Sequence, residues 1–259
     1  MWLFDWIKKG ELHFDVATVS DRGLVRSENQ DSFFANSPNG VFGVADGMGG
    51  GEGGALASSW VCEGLSIAAE TFAGVTVDER YSLVNDALQR TNKRIRAYAQ
   101  EKGFRMMGST VALAAFDTAA GQMQIVHVGD SRVYRMRSKQ LEQLTRDHTV
   151  GDELSRMVPG EGASGGRDFR SRRNPLTHVL TRAVGTEMNV RPDRREIPFQ
   201  RGDRYLLCTD GVHDMMSDSE IADLMRGRGG PEAIVSRFTT AIRAAGAADN
   251  FTLVFVVVE

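Results

Sequence analysis

The sequence predicts an α+β fold in which antiparallel β-sheet is covered by helices. Apolar, β-branched segments and segments with a 3.6-residue apolar period both occur, but they do not alternate regularly along the chain. Residues 110–116 and 123–128 flank a turn-like stretch at 117–121, which indicates an antiparallel hairpin. No repeat and no linker divides the chain, so we expect a single domain over residues 1–259.

Six segments rich in β-branched or aromatic residues are predicted to be strands. They are residues 41–45, 110–116, 123–128, 133–136, 204–208 and 251–258. The last is almost entirely β-branched or aromatic, so we expect it to be buried on both faces.

Four helices are predicted between and after these strands. Residues 55–72 and 79–102 are the two long candidates, and the second has an apolar stripe at helical spacing. Ser217 and Glu220 have the spacing of a capping box that opens a short helix. Pro231 lies where the first turn of a further amphipathic helix is expected.

The composition is that of an ordinary globular protein, with 41% hydrophobic and 25% charged residues. A net charge of −3 provides no positive field that would favour nucleic acid. Cys62 and Cys208 lack C-x-x-C spacing, which disfavours a disulfide scaffold or a zinc knuckle. No segment resembles a signal peptide or is long enough to span a bilayer. We therefore expect a cytoplasmic protein, and a monomer.

Two segments are set apart from the predicted core. Residues 1–12 form an apolar extension with Trp2, Phe4 and Trp6, which we expect to pack onto the domain rather than onto a membrane or a partner. Residues 159–166 are rich in glycine and are followed by four arginines. We expect this second segment to be a mobile loop that becomes ordered only when it is engaged.

Acidic residues recur where predicted strands end or begin. Asp46 directly follows the first strand, Asp210 lies two residues beyond the fifth, and Asp249 lies two residues before the last. Asp130 interrupts the apolar run between the third and fourth strands. If the first and last strands pair antiparallel, Asp46 and Asp249 meet at one edge of the sheet. Clustered carboxylates repel one another, so a cation is needed to compensate their charge. The motifs around these aspartates contain almost no sulfur or histidine ligands, and oxygen ligands suit Mg²⁺ or Mn²⁺.

A glycine stands next to three of these aspartates. Gly47 follows Asp46, Gly211 follows Asp210, and Gly129 precedes Asp130. A missing Cβ permits close approach of the backbone, whose carbonyl can serve as a metal ligand. Any one such pair is most simply a turn, but three of them at strand ends favour a metal site.

An arginine precedes an acidic and amide-rich stretch near the N-terminus. Arg26 is followed by Asn29, Gln30 and Asp31. The guanidinium fork matches the oxygens of a phosphate, although a single arginine is more often solvated or paired with a carboxylate.

Together these residues resemble the metal-dependent protein phosphatase family, also called protein phosphatase 2C. The resemblance is collinear from about residue 18 to the C-terminus, and eight blocks in the family's order carry it. The blocks are Arg26…Asn29-Gln30-Asp31, Val44-Ala45-Asp46-Gly47-Met48-Gly49-Gly50, Gly108-Ser109-Thr110, Val128-Gly129-Asp130-Ser131-Arg132, Leu144-Thr145-Arg146-Asp147-His148, Leu180-Thr181-Arg182-Ala183-Val184-Gly185, Cys208-Thr209-Asp210-Gly211 and Asp249-Asn250-Phe251-Thr252.

The resemblance implies a four-layer α/β/β/α sandwich with two central antiparallel sheets flanked by helices. It implies two adjacent ions, Mn²⁺ or Mg²⁺, that are bridged by Asp46. The carbonyl of Gly47 would bind one ion, and Asp210 and Asp249 would bind the other. Asp130, with Asp210 and also Asp214, would match the family's third, weaker metal site.

The same resemblance implies the activity. The chain would be a metal-dependent serine/threonine protein phosphatase, a phosphoric monoester hydrolase, in which metal-activated water attacks phosphoserine or phosphothreonine in line. Arg26 would bind the substrate phosphate, while Gln30 and Asp31 would hold metal-bound waters. The partners would be phosphorylated proteins and a serine/threonine kinase whose action the enzyme opposes. Residues 152–177 correspond to the family's substrate-side flap segment.

Two positions depart from the family pattern. Gln30 stands where many members have glutamate, which removes one negative charge near the metals. Met48 stands where some eukaryotic members have a histidine that is proposed to protonate the leaving alkoxide. His148, His178 and His213 remain as candidates, and the spacing selects none of them.

The arginines of the flap suggest a preference for acidic stretches around the phosphosite. Arg170, Arg172 and Arg173 carry this hypothesis, and a solvated loop without a role in selectivity is the alternative.

Three other functions are alternatives to a protein phosphatase. Residues 49–54 match the G-x-G-x-x-G dinucleotide-binding pattern, and residues 75–78 could then be a second strand ending in an acid. A non-catalytic relative could bind phosphoproteins or regulate a kinase. A metal-dependent nuclease is disfavoured by the acidic pI and the lack of a basic patch.

Overall fold

Two antiparallel sheets form the centre of this computed structural model, which describes residues 12–50, 52–157 and 174–259. The first sheet has, in spatial order, β1 (Phe14–Asp21), β11 (Phe251–Val258), β10 (Arg204–Cys208), β7 (Arg132–Arg137) and β8 (Gln140–Gln143). The second sheet has β2 (Asp31–Asn36), β3 (Val41–Gly49), β5 (Val111–Asp117), β6 (Gln122–Val128) and β9 (Asp193–Pro198), and β4 (Met107–Ser109) pairs with β3.

Helices lie on the outer side of each sheet. The α-helices are α1 (Gly53–Ala69), α2 (Val77–Lys102), α3 (Val150–Met157), α4 (Asp210–His213), α5 (Asp218–Met225) and α6 (Pro231–Ala244). Short 3-10 turns occur at Ser37–Asn39 and Pro175–His178. The helix that the sequence predicts from residue 79 begins two residues earlier, because Thr76 and Glu79 form a capping box. The capping box of Ser217 and Glu220 and the first-turn position of Pro231 are confirmed.

Three apolar clusters separate four layers. One packs α1 and α2 on the second sheet, one packs α5 and α6 on the first sheet, and the third lies between the sheets. Strand β11 shows how the sequence builds this order: Leu253 and Phe255 face the helices, whereas Val254 and Val256 face the other sheet. The burial of this strand on both faces and the α/β/β/α sandwich are confirmed.

One prediction about strand pairing was wrong. Direct antiparallel pairing of the first and last predicted strands was the condition for bringing Asp46 to Asp249, but β3 belongs to the second sheet and β11 to the first. The last strand instead pairs with β1 and β10. Asp46 and Asp249 still approach each other, because the ends of two stacked sheets open on the same cleft.

The strand that a dinucleotide-binding unit would need at residues 75–78 is also not formed. Thr76 is instead the N-cap of α2, and Val77 is its first residue. Strand β3 pairs antiparallel with both β2 and β5, whereas the dinucleotide unit requires parallel strands. The local structure therefore contradicts the dinucleotide hypothesis.

Parts of the predicted extension and flap lie outside the described residues. These parts include Trp2, Phe4 and Trp6, and the arginines at the end of the glycine-rich segment, Arg167, Arg170, Arg172 and Arg173. The described ends of the flap are α3 and the 3-10 turn Pro175–His178. Among the described residues, none of the helices combines the length and apolarity that crossing a membrane requires.

Replacing Gly211 with alanine is expected to destabilise the fold by about 3 kcal/mol, because overpacking forces backbone shifts. A Cβ at this position would lie 1.9 Å from the carbonyl oxygen of Asn250, which is backbone and cannot rotate away. Gly50→Ala is the matched control, since a Cβ there meets no described heavy atom within 4 Å. Chemical denaturation of both variants measures the difference, and equal midpoints would contradict the packing at Gly211.

Candidate active site

A cleft of about 840 Å³ opens where both sheets end, and four aspartates line it. Asp46 lies near the end of β3, and Asp130 lies in the turn between β6 and β7. Asp210 begins α4, and Asp249 lies two residues before β11. The topology thus brings together four carboxyl groups that are up to 203 positions apart (249 − 46) in the chain.

Burial and mutual repulsion make three of these carboxyl groups, those of Asp46, Asp130 and Asp210, costly to ionise without a cation. Burial, followed by the charge of Asp210, raises the pKa of Asp46 and that of Asp130 well above the ordinary value. Burial and the charges of Asp214 and Asp249 raise the pKa of Asp210 to about 7. The cluster therefore has the electrostatics of a cation-binding site.

Asp31 lies opposite Asp46 in the pairing of β2 with β3, and it is nine-tenths buried. Burial, with the charge of Asp210 next in importance, raises its pKa to about 7. Thr209 donates a hydrogen bond of 2.8 Å to Oδ2, but Oδ1 has no hydrogen-bond partner within the described part of the chain. A buried acceptor without a donor is rare in proteins, so this atom fits an ordered water beside a metal ion.

The glycines next to the aspartates permit close approaches that the fold requires. A Cβ on Gly47 would lie 2.0 Å from the carbonyl oxygen of Gly54 and 2.6 Å from that of Gln30. Gly129 has φ +98°, and a Cβ there would meet Thr110 at 2.6 Å. These positions are therefore more than turns, and Gly47 itself lines the cleft.

Arg26 is the cation nearest to Asp249. Its Nη2 donates a hydrogen bond of 2.6 Å to Asp249 Oδ2, which is the main cause of a raised pKa of Arg26. The arginine side chain is 57% exposed and lines the mouth of the cleft, so its fork is accessible to a ligand. The same side chain can thus hold a phosphate next to the aspartates.

Asn250 fixes the loop that carries Arg26. Its Oδ1 accepts a hydrogen bond of 2.8 Å from the backbone N–H of Gln30. Its Nδ2 donates to the carbonyl oxygens of Arg22 and Glu28 at 2.9 and 2.8 Å. The Gln30 side chain lines the cleft and donates to Glu28 Oε1 at 2.5 Å. One amide therefore ties the phosphate-side loop to the start of the last strand.

Asp214 lies in an adjoining cleft of about 950 Å³, which shares Asp130 with the first. His178 Nδ1 lies 3.2 Å from its Oδ2, and His213 Nδ1 lies 3.5 Å from its Oδ1. Its charge contributes to the raised pKa values of Asp130 and Asp210, so it is close to both. Of the candidate acids, only His178 lines the main cleft; His148 and His213 are buried.

A second group of possible metal ligands lies behind the cleft. His127, His148 and Asp193 place ligand atoms within 4.8 Å of one another. Arg182 Nη1 is 2.7 Å from Asp193 Oδ1, and His148 Nδ1 accepts a hydrogen bond of 3.1 Å from Gly129 N–H. A bound cation would have to displace a guanidinium, so we assign this group to support of the turn that carries Asp130.

Comparisons with known proteins agree with this geometry. A match to the protein phosphatase 2C family covers residues 25–249. The chain belongs to the protein phosphatase 2C family. It is 35% identical over 242 residues to the serine/threonine phosphatase stp of Listeria welshimeri, with 92% of this chain and 93% of the relative covered. It is 33% identical to the serine/threonine protein phosphatase PstP of Mycobacterium tuberculosis over 92% of this chain and 44% of the relative.

Solved structures of the family are also similar. PppA of Pseudomonas aeruginosa, a key regulatory component of T6SS, superposes with a TM-score of 0.83 at 29% identity, with 95% of this chain and 98% of that chain covered. The catalytic domain of PstP in complex with 2 manganese ions gives a TM-score of 0.80 at 30% identity, with 95% and 99% covered. This chain is thus a serine/threonine protein phosphatase that depends on divalent metal, as the sequence predicts.

Several polar residues within the family blocks have roles in this phosphatase that the sequence did not predict. Thr110 Oγ1 accepts a hydrogen bond of 2.9 Å from Asp46 N–H, and Thr110 N–H donates to the Asp46 carbonyl oxygen at 2.8 Å. Asn250, His148 and Arg182 also position site residues or line the cleft. Their motifs were visible, but the partners lie far away in sequence, so spacing alone could not assign them.

Replacing Arg26 with alanine is expected to lower kcat/KM for a phosphopeptide about 10- to 100-fold, because the phosphate loses its charge-assisted donors. Arg26→Lys should recover part of the loss, since it keeps the charge but not the fork. Steady-state kinetics, with competitive inhibition by inorganic phosphate, measure both effects. An unchanged inhibition constant for phosphate in Arg26→Ala would contradict the assigned role.

Proposed function

We propose that Asp46, the Gly47 carbonyl, Asp210 and Asp249 hold two divalent ions, Mn²⁺ or Mg²⁺, with a third, weaker site at Asp130 and Asp210 beside Asp214. The supporting observation is a set of four clustered carboxyl groups lining one cleft, three of which have a raised pKa. The donors are all oxygen, which suits hard cations. We propose that Asp31, which has a buried oxygen without a hydrogen-bond partner among the described residues, and Gln30, which lines the cleft, orient water.

Residues of the chain supply the other parts of the reaction. Arg26 binds the phosphate of the substrate and offsets the charge that develops on its equatorial oxygens. Asp46, anchored through both its backbone groups to Thr110, provides a rigid carboxylate between the other acids. When bound, two divalent ions lower the pKa of a water and neutralise phosphate charge. Cys62 and Cys208 are buried and lie outside the cleft, so neither is placed as a nucleophile.

His178 is the histidine that is best placed to donate a proton to the leaving alkoxide. It lines the cleft, and its Nδ1 lies 3.2 Å from Asp214 Oδ2, which orients the ring. His148 accepts a hydrogen bond from Gly129 and is buried, and burial lowers its pKa to about 4. Met48 lines the cleft but carries no proton to transfer.

The wider biological setting is proposed on family grounds. A serine/threonine kinase that phosphorylates the same proteins is the natural counterpart of this enzyme. We propose that residues 1–259 act as one cytoplasmic, monomeric catalytic domain, with residues 1–12 as an apolar extension and residues 152–177 as the flap. The family match over residues 25–249 supports the catalytic part of this proposal.

Phosphate release from phosphoserine and phosphothreonine peptides tests the proposed function. Turnover should require Mn²⁺ or Mg²⁺, stop in chelator and return when either metal is added back. Phosphopeptide binding in manganese without hydrolysis would instead support a non-catalytic phosphoprotein binder. Cleavage of nucleic acid without phosphopeptide turnover would support the nuclease alternative.

A further inference from the structure

Apolar side chains line the cleft together with its aspartates. Met48, Met106 and Val179 line it, next to Leu180 and Ala183. We call Met48, Met106 and Val179 the apolar wall. It faces the same space as the aspartates and Arg26, so a substrate that places its phosphate at Arg26 also extends along this wall.

The wall is more exposed than apolar side chains in a globular protein usually are. Met106 is 61% and Val179 is 47% exposed. Single exposed apolar residues are common and need no explanation, but contiguous ones mark binding sites. Two further exposed apolar residues, Val25 and Met188, are the chain neighbours of the cleft-lining residues Arg26 and Glu187. Met106 and Val179 therefore give the cleft an exposed apolar surface beside its charged residues.

The pairing of β3 with β4 holds Met48 in place, and Met106 directly precedes β4. Met48 pairs with Gly108, where a Cβ would lie 3.2 Å from the Met48 Cε and 3.1 Å from the Thr186 Cγ2. The thioether of Met48 therefore lies over a glycine, which leaves room for it. A Cβ on Gly49 would lie 3.1 Å from the carbonyl oxygen of Met106, so these backbones are also close. The backbone at Met48 and Met106 is thus held by this pairing, and binding to these two residues does not require a new backbone conformation.

We propose that the apolar wall binds an aliphatic side chain next to the phosphorylated residue of the substrate. Burial of apolar surface from both partners provides the attraction, and methionine adapts to differently shaped aliphatic groups. A charged side chain packed against the same wall would lose hydration there. The inference rests on the proposed site, because the phosphate position at Arg26 determines which part of the substrate reaches the wall.

The test compares three phosphothreonine peptides that differ only in the residues flanking the phosphothreonine, which are leucine, serine or aspartate. In manganese, wild-type enzyme should hydrolyse the leucine peptide with a kcat/KM about 10-fold above that of the serine peptide, or about 1.4 kcal/mol. The aspartate peptide should be slowest. Equal turnover of all three would overturn the inference and leave the proposed function intact, whereas no turnover of any peptide would overturn both.

Substitutions in the apolar wall then test whether the wall causes the preference for the leucine peptide. Met106→Gln and Val179→Ser should reduce the ratio of leucine-peptide to serine-peptide turnover toward one, and Met106→Leu should retain it. Because both peptides undergo the same chemical step, a variant that changes this step alters both rates equally and leaves their ratio unchanged. Ile67→Gln is the matched control, because Ile67 on α1 is 59% exposed but does not line the cleft. A ratio that is unchanged in both wall variants, or lost in the control, would overturn the inference.

Discussion

Replacing Asp46 with asparagine is expected to reduce kcat for p-nitrophenyl phosphate by on the order of 10³-fold, because the proposed bridge between two ions loses its charge. The same substitution should stabilise the metal-free protein. In the absence of metal, the ionised form of Asp46 is opposed by burial and by Asp210, Asp31, Asp130 and Asp249. A neutral amide of nearly the same shape removes this repulsion.

Activity and stability should therefore change in opposite directions. Steady-state kinetics in manganese measure the first, and thermal unfolding in chelator measures the second. Asp86→Asn is the control, since it makes the same chemical change on the exposed face of α2. A loss of both activity and metal-free stability in Asp46→Asn would indicate a structural role and contradict the assignment as a metal ligand.

The metal-free protein is expected to lose about 3 kcal/mol of stability between pH 6.5 and pH 8, or roughly 10 °C in Tm. Asp31 and Asp210 have pKa values of about 7, and those of Asp46 and Asp130 are also raised. A carboxyl group with a higher pKa in the folded than in the unfolded chain retains its proton longer when folded. Raising the pH through that interval therefore favours unfolding.

The buried histidines limit the pH range in which the effect of the aspartates on stability can be measured. Burial lowers the pKa values of His127, His148 and His213, so their ionisation in the unfolded state makes stability rise with pH up to about 6.5. Above that pH the aspartates dominate. Saturating Mn²⁺ should reverse the trend, because ionised carboxylates bind it more tightly.

Calorimetry at several pH values, with chelator and with Mn²⁺, measures these effects. The slope in chelator should also be smaller for Asp46→Asn than for wild type, since one of the titrating groups is gone. A metal-free Tm that is constant or rises from pH 6.5 to pH 8 would show that the carboxyl groups are not forced together in solution.

The strands that were predicted most accurately from the sequence are the ones that are almost completely buried. Strands β10 (Arg204–Cys208) and β11 (Phe251–Val258) were predicted at their observed bounds, because their residues are almost continuously apolar. Strands β1, β2, β4, β8 and β9 were missed. Strand β9 carries four charged residues in six and lies at the edge of its sheet, where charge is tolerated and often favoured.

The residues of the site were also predicted only in part. The aspartates and their glycines were visible because acids rarely adjoin buried strands, and the structure brings Asp46, Asp130, Asp210 and Asp249 to one cleft. The sheet assignment that was used to bring Asp46 to Asp249 was wrong, since stacking of two sheets cannot be derived from one-dimensional periodicity. The apolar wall was not predicted either, because Met48, Met106 and Val179 are distant in sequence and have no shared motif.

The location of bound manganese tests the account most directly. Crystals soaked in Mn²⁺ and measured at the manganese absorption edge should show two anomalous peaks in the cleft, both within bonding distance of Asp46. One peak should also contact the Gly47 carbonyl, and the other should contact Asp210 and Asp249. Manganese at His127, His148 and Asp193 instead, or no peak within reach of Asp46, would contradict the proposed metal centre.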